Sequence, residues 1–126
     1  MFVFDAYEAR RSYGEHSLVL SPDLCAAWEA EFGTPQGGTR VPASMLSLIV
    51  MRAYFAVITP RPPGNVHAGQ SFFVQRLPDR GATVVTEVRC LRKEVRKTRR
   101  FVWLGFETHD ERGALFTAEM TSLVAA

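Results

Sequence analysis

The chain is poor in the residues that usually announce a site. It has two cysteines, three histidines and two lysines in 126 residues. Cys25 and Cys90 lie far apart and form no metal-ligand spacing. They read as free thiols of a chain kept in a reducing cytosol. A disulfide between them would need Cα atoms within about 7 Å. His16 and His109 fall at a strand edge and a turn and carry no chemistry. With scattered His and Cys, no metal is expected, and no cofactor is implied. Of the 15 basic residues, 13 are Arg, and the net charge is +2. That balance by itself implies no nucleic acid and no membrane partner. The opening MFVFDAYEARRSYGEH carries acids early and lacks the apolar run of a signal peptide. One stretch approaches transmembrane length, VPASMLSLIVMRAYFAVI at 41–58. Arg52 in its second half would cost about 2.5–3.5 kcal/mol in a bilayer, so a water-soluble helix is expected. There are no repeats, low-complexity tracts or linkers, and the length suits one domain.

What is present is a core. The chain is 47% hydrophobic. A short strand is expected at 16–20, then a helix capped by Ser21, with Pro22 at its first position and Gly33 at its end. Leu24, Ala27, Trp28 and Phe32 make its apolar stripe. GTPQGGTR at 33–40 is a loop. A helix over 41–58 follows, apolar almost all round and so expected to be surrounded by protein on most sides. Pro60 to Gly64 end it. Four strands are expected after it, at 66–76, 82–97, 100–108 and 114–123, the last two joined by a turn at 109–113. Val84, Thr86, Val88 and Cys90 share one face. Phe101 and Trp103 oppose Val102, Leu104 and Phe106, so both faces of that strand should be covered, by a partner or by the first helix. In the last strand Ala114, Phe116, Ala118 and Met120 should point inward. Strands grouped after helices argue an α+β fold, with the apolar helix on the concave face of a curved antiparallel sheet.

The strongest charge feature is Arg89, Arg92, Lys93, Arg96, Lys97, Arg99 and Arg100, relieved only by Glu94. A solvated strand edge guarded by charge is one reading. A site for the phosphates of a pantetheine-bearing ligand is another. Nucleic acid fits less well, because Phe101, Trp103 and Phe106 alternate as core residues do.

Three segments taken in order resemble the MaoC-like dehydratase branch of the hot-dog superfamily. VPASMLSLIVMRAY at 41–54 resembles the start of that family's central helix. GNVHAGQSFFVQRLPDRGATVVTEV at 64–88 resembles its strand–turn–strand passage, with Pro78 and Gly81 in matching places. ETHDERGALFTAEMTSLVA at 107–125 resembles its closing hairpin. The resemblance implies a single hot-dog domain that binds acyl thioesters, on CoA or a carrier, and that pairs with a second copy or with a catalytic homologue. It also implies that a backbone N–H at the start of the central helix, here Ala43 or Ser44, meets the thioester carbonyl. First-turn N–H groups lack intrahelical partners and sit at the positive end of the helix dipole.

Active members of that family carry an Asp and a His five residues apart before the central helix, which move a proton as water is added to or lost from an acyl double bond. Here the same place reads EFGTPQGGTR, with Glu31 and Arg40 as its only ionisable groups. The expectation is an accessory or degenerate dehydratase subunit. Its contacts would be Ala43, Ser44 and the basic residues Arg92, Lys93, Lys97, Arg99 and Arg100. An active hydratase or thioesterase using Glu31, Asn65 and His67 is the alternative, and a dimer binding a different ligand is a third.

Overall fold

A computed structural model describes residues 1–33 and 38–125. The expected loop at 33–40 therefore lies in part, at 34–37, outside the described residues. The elements are β1 (Ser12–Val19), α1 (Pro22–Phe32), α2 (Leu46–Val57), β2 (Val66–Val74), β3 (Thr83–Arg96), β4 (Arg99–Asp110) and β5 (Gly113–Leu123), with 3-10 turns at Phe4–Ala6 and Ala43–Met45. The strands form one antiparallel sheet in the order β1-β3-β4-β5-β2. α2 lies on its concave face, and the fold is α+β as expected.

Local chemistry sets the boundaries. The Ser21 hydroxyl accepts from the Leu24 N–H at 3.2 Å, and Pro22 occupies the first helical position. Gly33 ends α1 at φ 89°, a conformation that suits glycine. α1 buries Cys25. α2 buries Leu46, Ile49, Val50, Ala53 and Tyr54 against the sheet. Facing them are Val84, Val88 and Cys90 of β3, Val102, Leu104 and Phe106 of β4, and Phe116, Ala118 and Met120 of β5. Thr86 and Thr108 satisfy one another across β3 and β4 at 2.7 Å, so two hydroxyls enter this core without a lost hydrogen bond. Both cysteines are free and buried, and burial raises the thiol of each above its ordinary value.

Several expectations need correction. The central helix is shorter than 41–58: Val41 lies outside it, Pro42 is extended, and one 3-10 turn precedes α2. Nor is α2 enclosed on most sides. Ser47, Arg52, Phe55 and Ala56 are exposed, with Phe55 at 51%. β1 begins four residues earlier than expected, at Ser12. The turn of the last hairpin is only Glu111–Arg112, since β4 runs to Asp110 and β5 starts at Gly113. Ala114 is exposed and Leu115 buried, because a register shift at Thr108/His109 changes the alternation before Phe116 restores it. Within the chain, the outer face of β4 is covered in part by side chains of β3. Arg92 lies 4.2 Å over the Trp103 ring, and Leu91 packs so closely on Gly105 that a Cβ there would fall 2.8 Å from its Cδ2. That approach requires the glycine.

No helix among the described residues is long and apolar enough to cross a membrane.

Candidate functional site: the N-terminus of the central helix

The segment entering α2 is held from three sides. The Val41 N–H donates to the Pro78 carbonyl at 2.9 Å, and the Arg80 N–H donates to the Thr39 carbonyl at 2.7 Å. From α1, Glu29 pairs with Arg80, and the Trp28 indole N–H donates to Ser44 Oγ at 3.1 Å. Ser47 Oγ donates to the Ser44 carbonyl at 2.8 Å. The N–H groups of Ala43 and Ser44 find no backbone acceptor among the described residues. Because Ser44 Oγ already accepts from Trp28, its own proton remains free to donate outward. Two N–H groups and one hydroxyl thus converge on an exposed turn at the positive end of α2. Donors grouped in this way suit an oxygen that gathers negative charge.

A salt network anchors this end of the fold. Arg76 grips Asp110 through both oxygens, at 2.9 and 2.6 Å, and the Arg112 N–H adds a third bond at 2.9 Å. Arg112 reaches on to Asp79 at 2.8 Å, whose backbone bridges to Arg40. The Asp110 side chain is 5% exposed, and the Arg76 guanidinium lowers its carboxyl to about 2 from the ordinary 3.8. The group is more acidic folded than unfolded. Its contribution is complete above about pH 4 and is lost as pH falls through about 2. The melting-temperature gap between wild type and Asp110→Asn should therefore be widest near about pH 6 and close near about pH 2. A gap independent of pH would show that the pair does not hold this end.

A second recess lies at the other end of α2, with a volume of about 280 Å³. Met51, Tyr54, Phe55 and Met120 supply apolar walls, and Arg61, Asn65 and His67 supply polar groups. Arg61 stacks 5.0 Å from the Tyr54 ring and 4.8 Å from that of Phe55. Asn65 Oδ1 accepts from the Ala125 N–H at 3.1 Å, while its buried Nδ2 has no partner among the described residues. His67 Nε2 lies 3.1 Å from the Gly69 carbonyl.

The sequence-derived candidates thus fall into three places. Ala43 and Ser44 share the helix entrance, and Glu31 is exposed on the last turn of the neighbouring α1. Asn65 and His67 lie beyond the far end of α2, about 18 Å along a 12-residue helix. One subunit therefore does not bring Glu31 to Asn65 and His67. Arg92, Lys93, Lys97, Arg99 and Arg100 sit on the β3–β4 hairpin, at the end of the sheet opposite the entrance. Lys93 is already engaged, donating to the Phe4 carbonyl at 3.1 Å. The Trp28–Ser44 bond was not foreseen. Its only trace in the sequence is an aromatic stripe on α1, which also describes a helix merely packed on the core. No cluster of three metal-binding side chains occurs among the described residues.

No family model matches the chain, and no curated protein matches it in sequence. Solved structures do match. A MaoC-like dehydratase from Rhodospirillum rubrum superposes with a TM-score of 0.83 at 15% identity, over 99% of this chain and 97% of that one. An R-hydratase from Pseudomonas aeruginosa gives 0.73 at 18% identity, over 98% and 85%. A 3R-hydroxyacyl-ACP dehydratase complex from Mycobacterium tuberculosis gives 0.72 at 12%, over 89% and 92%. At such identities the likeness is one of fold, and it agrees with the resemblance read from residues 41–125. The chain has the hot-dog fold, in the arrangement seen in MaoC-like dehydratases and R-hydratases.

Proposed function

We propose that this chain binds acyl thioesters, carried on CoA or on a carrier protein, as a hydratase- or dehydratase-type subunit without its own Asp/His pair. The observation that carries the reading is the trio of unengaged donors at Ala43 and Ser44. They lie where a thioester carbonyl oxygen would gain from the helix dipole. Residues 31–40 contain neither His nor Asp, so the chain can hold the carbonyl but lacks there the Asp/His pair that moves the proton.

The reading includes a dimer. β2 is an edge strand, exposed along nearly its whole length. Val66, Phe72, Phe73 and Val74 are all exposed on it, with Phe73 at 68%. A long apolar edge of this kind invites another strand. Pairing β2 with a second β2 about a twofold axis normal to the sheet reverses strand direction. The helix entrance of one copy then lies at the same end as the partner's Asn65 and the partner's His67. The recess at the far end of α2 would line the acyl path of the neighbouring copy. A catalytic homologue in place of the second copy would supply the missing pair by the same geometry. The basic hairpin is brought to that end as well, which leaves its cations within the same half of the dimer as the thioester.

Thermal denaturation with ligand tests the reading. Crotonyl-CoA at about 100 times its Kd should add about 2.7 kcal/mol of stability, and free CoA should add clearly less. Equal shifts from the two would mean that the acyl thioester is not recognised. No shift from crotonyl-, octanoyl- or palmitoyl-CoA would remove the thioester reading altogether. The third reading, a dimer that binds some other ligand, would then take its place.

A further inference from the structure

The β3–β4 hairpin extends past the rest of the sheet. β1 pairs with β3 only as far as Arg89, and β5 pairs with β4 only from Phe101 onward. The hairpin arm is thus open along the β3 edge from Arg92 on, and only its tip, residues 95–99, is two-stranded. Arg92 opposes Trp103, Glu94 opposes Phe101 and Arg96 opposes Arg99. Alternation puts Arg92, Arg96, Arg99, Phe101 and Trp103 on the outer face, away from α2.

Those side chains are ordered by each other. Phe101 and Trp103 stack at 5.7 Å with an interplanar angle of 23°. Arg92 lies 4.2 Å over Trp103, and Arg96 lies 5.4 Å from Phe101 and 5.6 Å from Trp103. A guanidinium lying over an aromatic ring has part of its ordering cost already met. Glu94 alone answers this charge, bonded to Arg96 at 3.1 Å. Arg92, Lys97, Arg99 and Arg100 form no salt bridge among the described residues.

We infer that the outer face of this arm docks an acidic protein surface, whose carboxylates pair with Arg92, Arg96 and Arg99. The Arg92 and Arg96 guanidiniums lie 4.2 and 5.6 Å from the same Trp103 ring, and Arg99 stands opposite Arg96 across the hairpin, so the cations form one patch. Carboxylates on successive turns of an acidic helix, about 5.4 Å apart, present several anions to such a patch at once. A nucleic-acid strand would need bare aromatic faces on which to stack its bases. Here Trp103 is only 8% exposed and lies under Arg92. The net charge of +2 also supplies no wider basic field for a phosphate backbone. The inference is independent of the thioester reading, because no acyl group is involved.

The test is fluorescence anisotropy with a labelled Glu-rich helical peptide and a single-stranded RNA of equal net charge, alongside calorimetry with CoA. Arg96→Glu/Arg99→Glu should weaken the peptide at least about tenfold, and binding should fall with added salt. Arg40→Glu, at the other end of the sheet, should change it less than about twofold. If the double reversal disturbs folding, Arg99→Ala, at the tip, should still weaken the peptide about threefold. Peptide binding unchanged in both hairpin variants overturns the inference. So does tighter binding of the RNA than of the peptide, or binding of CoA alone.

Discussion

Crotonyl-CoA mixed with the pure chain should be hydrated about 10²–10⁴-fold more slowly than by a homologue that carries the Asp/His pair, the range that general acid–base catalysis contributes. The reason is local. Within residues 31–40 the only ionisable groups are Glu31 and Arg40. Glu31 projects from α1 into solvent, and Arg40 lies 4.0 Å from Asp79. Holding the carbonyl at Ala43 and Ser44 still polarises it, so a small residual rate is compatible with the account. Hydration is followed by loss of the enoyl thioester absorbance. A rate matching that of an active homologue, abolished by His67→Ala, would make the chain an enzyme with an unfamiliar base, recruited across the dimer interface.

Phe106→Ala should cost about 3–5 kcal/mol, at least about a fifth of the 5–15 kcal/mol that holds a domain together. Phe106 is fully buried at the middle of β4. It pairs with Val88 on one side and Ala118 on the other, all three on the face beneath α2. The ring therefore fills the seam between helix and sheet, and neighbours on rigid strands cannot close the cavity. Urea unfolding measures the loss. A change below about 1 kcal/mol would mean that the sheet does not wrap α2 as described.

Most of the fold could be read from the sequence, because its signals are local. Ser21, Pro22 and Gly33 bound α1 by capping chemistry that depends on a few adjacent residues. Val84, Thr86, Val88 and Cys90 announce a half-buried strand by period two alone. The misreadings arise where local pattern and three-dimensional context part. The entrance to α2 is as apolar as the helix, so periodicity ran straight through the 3-10 turn. Leu115 and Ala114 exchanged places because a bulge is invisible in an alternating string. Phe55 counted as core by composition, yet it lies on a face that no described element covers.

The site was legible only in part. Ala43 and Ser44 were reachable through the family resemblance. The indole bond from Trp28 to Ser44 spans 16 residues and depends on how α1 leans on α2. The separation of the helix entrance from Asn65, His67 and the basic hairpin follows from strand order and helix direction, and strand order is a long-range property that no spacing in the sequence encodes. The same order implies that a twofold pairing along β2 would reunite in a dimer what one subunit keeps apart.

Ala43→Pro tests the central claim most directly. Pro42 already has φ −65° and ψ 149°, the extended backbone that a following proline demands, and Ala43 opens the turn where proline is tolerated. The substitution deletes one N–H donor and should leave the fold and the melting temperature nearly unchanged. Titration calorimetry with crotonyl-CoA should then show affinity weakened about tenfold, the worth of one hydrogen bond to a polarised carbonyl, with free CoA binding unaltered. Undiminished binding of crotonyl-CoA to a normally folded Ala43→Pro protein would contradict the account, because the carbonyl would then lie elsewhere.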